Sequence, residues 1–339
     1  MSYPQGPPPN VPGPPRQDWA PRMVAHPHPE PRSYALMLRT WDYRWWKPLV
    51  GVLAGVLIFL VIQTLLTVIL VIGAIVEGGS GPLADRVTKM GALDKVTPWS
   101  MLYVNLGLAS LTLVTWLVIR VVHRLRPRWL SSVRPGMRWK FFFACFGLAV
   151  VALLASLVVG ALLPHDPNAV SGKAHLPTGQ LLATAIVILV TTPLQALGEE
   201  YGFRGYLMQA CGSFFRSRVA ALLITATLFA LAHGAQNFPL FFDRFAFGLM
   251  AGAVVILVGG LEAGIALHIL NNLLAFGIAI AYNQLDSTLT VSEASWWQLP
   301  VTIAQNGVYL VLVLLLARRM GLRNVTAPPV ADTAPQPVG

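Results

Sequence analysis

The segment LVGVLAGVLIFLVIQTLLTVILVIGAIV, residues 49–76, contains no ionisable side chain and consists mainly of Leu, Val, Ile, Ala and Gly. A helix of about 20 apolar residues crosses the hydrocarbon core of a bilayer, so this segment is long enough to span a membrane. Further apolar segments follow it, with approximate bounds 99–122, 141–163, 180–202, 219–233, 240–258, 263–282 and 300–317. The sequence therefore predicts an all-α polytopic membrane protein with about eight transmembrane helices.

The composition of the chain agrees with this prediction. Of its 339 residues, 55% are hydrophobic and only 11% are charged, whereas soluble domains have about 25% charged residues. This scarcity of charge excludes a soluble protein of ordinary composition. The high hydrophobicity also excludes a chain that is disordered over most of its length. Two cysteines, Cys145 and Cys211, are too few for a disulfide-framed fold.

The distribution of Lys and Arg predicts the orientation of the protein in the membrane. The net charge is +10, and basic residues collect in the cytoplasmic loops of membrane proteins. Six lie before the first span, three in 77–98, seven in 120–140, one in 164–179, two at 216–218, none in 283–299 and three after the last span. This alternation predicts a cell-membrane protein with both termini cytoplasmic and membrane lipids as partners. No segment resembles a nucleic-acid-binding module, so we predict no nucleic-acid partner.

The chain divides into five segments by composition. Residues 1–35 contain eleven prolines and predict a disordered cytoplasmic tail. Residues 36–48 carry tryptophans among basic residues and predict a juxtamembrane interfacial helix. Residues 49–163 predict a scaffold of three transmembrane helices, because no ionisable group lies inside those spans. Residues 180–317 predict the transmembrane core that carries function, and residues 318–339 a cytoplasmic C-terminal tail.

The first polar cluster of that core is Glu199-Glu200-x-x-x-Arg204, at the end of a predicted span. Ionisable residues inside membrane segments are costly and are by default candidates for function. Arg204 lies four residues after Glu200, on the same helical face, where it can pair with that carboxylate. Glu199 lies about 100° away around the helix and is predicted to be free to act as a base. An interfacial capping pair of Glu and Arg is the structural alternative.

Two further clusters follow on the next helices. Phe229-x-x-x-His233 ends a span and precedes a polar break, which is tolerated at membrane depth only where it lines a cavity or the protein interior. If the helix of Glu199 continues to about residue 211, an antiparallel hairpin sets Glu199 and His233 at one level. His268 and Asn272 are four residues apart and share one face of a later helix. The structural alternatives are a carbonyl-bound His233 and an interhelical hydrogen bond from the second pair.

These three motifs, in this order on consecutive membrane helices, resemble the CAAX protease and bacteriocin-processing (CPBP, or Abi) intramembrane endopeptidases. That family includes the type II CAAX prenyl endopeptidases and the lysostaphin-resistance-like bacterial proteins. The resemblance extends over residues 180–285, about a third of the chain. It implies hydrolysis of a peptide bond in a membrane-associated peptide or protein, lipid-modified substrates included.

The resemblance also implies a role for each predicted site residue. Glu199 activates the attacking water and His233 helps to position it. His268 and Asn272 stabilise the oxyanion and assist proton transfer, while Glu200 and Arg204 organise the first motif. A glutamate-type mechanism without a cofactor is favoured, because Asn is a poor zinc ligand. The alternative is a zinc enzyme with Glu199, His233 and His268 as ligands.

Two other functions remain open from the sequence. Buried Glu and His residues also build the proton relays of transporters, although no inverted repeat is evident in this chain. A non-catalytic protein of the same fold could act by binding, for example in immunity to a peptide toxin.

Overall fold

The computed structural model describes residues 27–164 and 173–329 of the chain. The described helices are α1 Trp46–Glu77, α2 Leu83–Gly91, α3 Pro98–Val121, α4 Arg128–Ser131, α5 Trp139–Leu162, α6 Gly179–Phe215, α7 Arg218–Leu231, α8 Phe238–Gly259, α9 Glu262–Ala281, α10 Leu285–Leu289 and α11 Gln298–Arg319. A 3₁₀ turn at Tyr34–Leu36 precedes them. Within the described ranges the chain forms no strand, only two isolated β-bridges.

Seven of these helices are long and apolar enough to cross a membrane: α1, α3, α5, α6, α8, α9 and α11. The predicted all-α multi-pass membrane fold is therefore confirmed. The span predicted at 219–233 corresponds to the shorter apolar helix α7, which has only 14 residues. With α7 the bundle has an even number of passes, in agreement with the bridge between Ser33 and Val325 at one end of it. At 1.5 Å per residue such a helix reaches about 21 Å, which is less than the thickness of a bilayer core.

The N-terminal segment differs from its prediction. Residues 1–26 of the predicted disordered tail lie outside the described residues, but residues 27–35 pack against the protein. Tyr34 and Leu38 are almost completely buried, and the Tyr34 hydroxyl donates a hydrogen bond to the carbonyl of Leu130. The predicted interfacial helix over 36–48 does not form, since turns and bends extend to Trp45 and α1 begins at Trp46. The side chains of Trp41, Trp45 and Trp46 are exposed, so the interfacial position of this segment stays a prediction.

Both ends of the described chain lie at the same end of the helix bundle. Ser33 and Val325 form an antiparallel bridge. The Arg32 backbone N–H donates to Thr326 Oγ1 at 2.9 Å, and the Thr326 N–H donates to the Arg32 carbonyl at 2.9 Å. Residues 320–329 of the predicted C-terminal tail follow the end of α11 and contact the N-terminal segment.

Helix α6 packs closely against α3 near the middle of both helices. A Cβ at Gly198 would lie 2.1 Å from the carbonyl oxygen of Leu108, so a larger residue would not fit. One turn before Leu108 in α3 and about two turns before Gly198 in α6, the Asn105 amide donates to Thr191 Oγ1 at 2.8 Å and to Thr192 Oγ1 at 3.2 Å. Small residues and interhelical hydrogen bonds are the usual means of helix association in membranes. This contact fixes the depth of the glutamates that follow Gly198.

Candidate active site

The two glutamates lie where α6 changes its helical geometry. The helix is regular to Glu199 and then takes π-helical hydrogen bonding from Glu200 to Leu207, without a break in the chain direction. Short π-helical segments are frequent at functional sites. The Glu200 side chain is completely buried and Glu199 is 7% exposed, so both carboxyl groups need partners inside the protein.

Glu200 lies between two cationic partners. Its Oε1 accepts a hydrogen bond from Arg204 Nη1 at 2.9 Å and lies 2.9 Å from His268 Nδ1. The pairing of Glu200 with Arg204 predicted from their spacing is thus present, and Arg204 is completely buried. His268, on helix α9, is the partner that the spacing did not indicate.

Glu199 contacts the other nitrogen of the same imidazole ring. Its Oε2 lies 3.2 Å from His268 Nε2. A histidine donates from both nitrogens only in its protonated form, and both nitrogens here face carboxyl oxygens. With His268 protonated, two carboxylates and two cations balance to zero net charge, which is the condition under which buried charges are tolerated.

Aromatic rings enclose this group of four charges. The Arg204 guanidinium carbon lies 3.9 Å from the ring centre of Phe229 and 5.5 Å from that of Phe247. The His268 ring contacts the edges of the same two phenylalanines, with centroid distances of 6.0 Å and 5.1 Å. The rings keep the charges apart from lipid and add cation–π attraction.

His233 follows the end of α7 and lines the same cavity as Glu199. Its Nδ1 lies 2.8 Å from the carbonyl oxygen of Phe229, one turn earlier. A carbonyl only accepts hydrogen bonds, so Nδ1 carries the proton and neutral His233 presents an acceptor lone pair at Nε2. A carbonyl-bound His233 was the structural alternative to a role in catalysis. The bond to the Phe229 carbonyl is present, and it also fixes the orientation of the His233 ring.

Asn272 lies one turn after His268 on α9, as the spacing predicted. Its Nδ2 donates to Gln195 Oε1 on α6 at 3.1 Å, while Asn271 Oδ1 accepts from Gln305 Nε2 on α11 at 3.0 Å. The two asparagines thus connect α9 to the helices on either side of it. The second N–H of the Asn272 amide has no partner among the described residues and is available to a ligand.

These side chains border one cavity of about 440 Å³. A volume of this size is typical of sites for small ligands or short peptide segments. Four of the six predicted residues line it, namely Glu199, His233, His268 and Asn272. Glu200 and Arg204 lie behind this surface and support Glu199 and His268 from the protein interior.

The sequence did not indicate several polar residues that complete the cavity wall. Gln195 is four residues before Glu199, on the same face of α6, and its polar side chain inside an apolar helix was the available signal. Asn105 also lines the cavity, although it belongs to the predicted scaffold. Asp243 and Arg244 on α8 and Gln305 on α11 add further polar groups.

The zinc alternative with Glu199, His233 and His268 as ligands stays a prediction. His268 Nε2 lies 3.2 Å from Glu199 Oε2, while its Nδ1 lies 2.9 Å from Glu200 Oε1. Within the described part of the chain, no three His, Cys, Asp or Glu side chains are grouped so as to hold a metal ion.

The segment that contains these site residues is similar to a known protein family. Residues 181–274 match the model of a family described as type II CAAX prenyl endopeptidase Rce1-like. The predicted family resemblance is confirmed. The matched segment is less than a third of the chain, and it contains all six predicted site residues, Glu199, Glu200, Arg204, His233, His268 and Asn272. Because endopeptidases are proteases, the match supports protease activity in this multi-pass membrane chain.

Two curated proteins are also similar to parts of the chain. An uncharacterized protein of Bacillus subtilis (strain 168), YyaK, is 26% identical over 209 residues, which cover 57% of this chain and 68% of that protein. The potassium-binding subunit of a potassium-transporting ATPase from Desulfovibrio desulfuricans is 36% identical over 114 residues. That second match covers 32% of this chain and only 19% of the subunit. No solved structure is significantly similar to the chain.

Proposed function

We propose that this protein is an intramembrane endopeptidase that hydrolyses a peptide bond in a membrane-associated peptide or protein by glutamate-activated water. The observation that carries the proposal is the placement of Glu199 against His268 at the wall of a cavity also lined by His233 and Asn272. The match of the same segment to an endopeptidase family supports it. Lipid-modified substrates are included in the proposal.

Glu199 is the proposed general base. His268 Nε2 occupies the Oε2 side of its carboxylate, so Oε1 faces the cavity and takes a proton from water. His233 Nε2 accepts the second hydrogen of that water, because the Phe229 carbonyl holds the proton on Nδ1. The hydroxide formed in this way attacks the carbonyl carbon of the substrate.

The oxyanion that develops on the substrate needs a hydrogen-bond donor, and Asn272 Nδ2 has one N–H left after its bond to Gln195. Preorganised donors of this kind are worth several kcal/mol in a water-poor site. Protonated Glu199 then gives its proton to the leaving amine. His268 is placed to assist this transfer through Nε2 rather than to contact the oxyanion, because both of its nitrogens face glutamates.

Glu200 and Arg204 are proposed as positioning residues. They are completely buried and touch His268 and the aromatic rings rather than the cavity. Their charges hold the imidazole ring against Glu199 in the orientation that the proton transfer requires.

The test is cleavage of a quenched-fluorescent library of random peptides by purified protein in detergent, with the exchange Glu199→Gln. This exchange keeps the size of the side chain but removes the base, so the rate is expected to fall by about 10²–10⁴-fold. Asp85→Asn, an exposed carboxylate in α2, is the matched control and should keep the wild-type rate. Unchanged cleavage by Glu199→Gln would refute the proposed mechanism.

A second arm of the experiment addresses the cofactor. Cleavage is measured after incubation with EDTA and again after addition of Zn²⁺. The proposed glutamate-type mechanism predicts the same rate in all three samples. A rate that is lost with the chelator and restored by zinc would contradict it.

A further inference from the structure

The cavity extends in one direction from Glu199 and His268. At its far end it is lined by Thr288, Val291 and Ala294, which belong to the connection between the end of α9 and the start of α11. Helix α11 runs from this connection to Arg319, close to the bridge between the two ends of the described chain. The mouth of the cavity therefore lies at the end of the bundle opposite to the termini.

In the other direction the protein is closely packed. Arg204, Leu261 and Ile265 are completely buried on the side of the glutamates that faces the termini. The Tyr201 hydroxyl is hydrogen-bonded to Ser131 Oγ at 2.7 Å in the same layer. Tyr201, Leu261 and Ile265 are in one apolar cluster with Tyr34, so the N-terminal segment completes the closure.

The charge of the two ends differs. The connection between α3 and α5, on the side of the termini, carries Arg124, Arg126, Arg128, Arg134 and Arg138, and the segment after α11 adds Arg323. The connection at the cavity mouth, residues 282–297, has no Lys or Arg, and the α1–α3 connection on the same side has three. An excess of basic residues in short loops marks the cytoplasmic side.

From these three observations we propose that the peptide bond reaches Glu199 from the extracytoplasmic face of the membrane. This inference rests on the proposed peptidase function and specifies its substrate class. The substrates are exported peptides, or the extracytoplasmic flanks of membrane proteins, rather than C-terminal segments presented from the cytoplasm.

The surface near the mouth suits such substrates. Trp296 is 65% and Phe238 57% exposed, and their ring centres are 5.5 Å apart. Exposed aromatic rings at the end of a membrane helix lie in the headgroup region of the bilayer. Peptides that adsorb to the extracytoplasmic surface of the membrane would therefore lie at the same depth as the mouth of the cavity.

The test is reaction of single cysteines with a membrane-impermeant thiosulfonate, in intact cells and in inside-out vesicles. Cys145 and Cys211 are first replaced by Ala, and Gln305→Cys then reports on the inner part of the cavity. We expect Gln305→Cys to react in intact cells and to be protected in inside-out vesicles. Arg134→Cys, exposed on the face of the termini, is the matched control and should react only in the vesicles.

Val291→Cys, at the mouth, gives the same readout if Gln305→Cys does not fold. Reaction of either cavity cysteine from the vesicle side only, or from neither side, would overturn the inference. Reaction of Arg134→Cys in intact cells would overturn it as well, since the orientation would then be inverted.

The labelling does not depend on catalysis, so it separates this inference from the proposed function. Cells with the predicted labelling pattern but no Glu199-dependent cleavage would refute the peptidase and leave the access route standing. For an active protein, a bulky maleimide on Val291→Cys should remove most of the cleavage seen with its unmodified form. The same reagent on Arg134→Cys should leave the rate of its unmodified form unchanged.

Discussion

At the scale of single residues, the site depends on charges that compensate one another inside the membrane. Glu200 and Arg204 are completely buried, and His268 contacts both Glu199 and Glu200. Each of these groups would be too costly to bury alone. The charge balance is thus a requirement of folding as well as of the proposed chemistry.

Arg204→Met tests this dependence. The exchange keeps a long apolar stem but removes one of the two cationic partners of Glu200. We expect the free energy of unfolding to fall by about 3–5 kcal/mol. Thermal unfolding in detergent measures the effect. Arg218→Met, at the exposed start of α7, is the matched control and should change the melting temperature little. Equal melting temperatures for the two variants would contradict the prediction.

His123, just after α3, predicts a pH dependence of stability. It is buried, with its Nε2 2.9 Å from the Tyr206 hydroxyl, and burial, followed by the charge of Lys47, lowers the pKa of His123 to about 4. Because this pKa lies below the unfolded value of about 6.5, the stabilisation by neutral His123 is complete above pH 6.5. It is lost as the pH falls toward 4.

We therefore expect stability to fall by about 2 kcal/mol from this residue alone between pH 7.5 and pH 5. Other groups titrate in the same range, so the measurement compares thermal unfolding of the wild type with that of His123→Gln at both pH values. The decrease should be smaller in the variant. Identical decreases would show that His123 does not contribute.

At the scale of helices, the site depends on how closely α6 can approach its neighbours. Gly198 allows contact with the backbone of α3, and Gly264 allows α9 to pass next to Glu200, since a Cβ there would lie 2.8 Å from Glu200 Oε2. Both glycines are adjacent to site residues in sequence or in space. The absence of a side chain at these positions is what sets the depth of the carboxylates.

Gly198→Ala is expected to separate α3 from α6. The new methyl group would lie 2.1 Å from the Leu108 carbonyl oxygen, a contact that only backbone movement relieves, and overpacking of this kind costs about 1–3 kcal/mol. Unfolding and peptide cleavage should both be affected, because Glu199 moves with the helix. Gly147→Ala in α5 meets no atom within 4 Å and serves as the control. Similar results for the two exchanges would contradict the role given to Gly198.

The sequence predicted those parts of the helical arrangement that depend on the length of apolar segments and on the spacing of polar residues within one helix. The spans follow from the length of the apolar segments. The pairing of Glu200 with Arg204 and the shared face of His268 and Asn272 follow from their four-residue spacing. The two contacts of His268 with the glutamates could not be predicted, because they depend on how α9 rotates against α6. The shortness of α7 and the packing of residues 27–40 were also missed. Hydropathy reports apolar content and not which surface an apolar side chain contacts.

At the scale of the whole molecule, apolar side chains are divided between the interior and the surface that faces lipid. Helix α1 is the clearest case, because most of its large apolar residues are exposed. The segment before it behaves in the opposite way between Tyr34 and Leu38, where Tyr34, Met37 and Leu38 are inside the protein. Whether a leucine lies inside or outside a membrane span therefore does not indicate whether it is buried in the protein or faces lipid.

Two leucines test this division. Leu38 is 1% exposed and lies in the same cluster as Leu130, whereas Leu53 in α1 is 61% exposed. Leu38→Ala creates a cavity and is expected to cost about 2–5 kcal/mol, whereas Leu53→Ala exchanges one lipid contact for another and should have little effect. Thermal unfolding in detergent compares the two variants. A Leu38→Ala protein as stable as wild type would show that the N-terminal segment does not support the fold.

The contact between Arg32 and Thr326 joins positions that are 294 residues apart in the chain. During synthesis, Arg32 emerges from the ribosome first, and all the transmembrane helices must follow before Thr326 exists. The N-terminal segment therefore remains without this partner throughout membrane insertion. It can form this contact only after Thr326 has left the ribosome, which makes the contact a late step in the biogenesis of the protein.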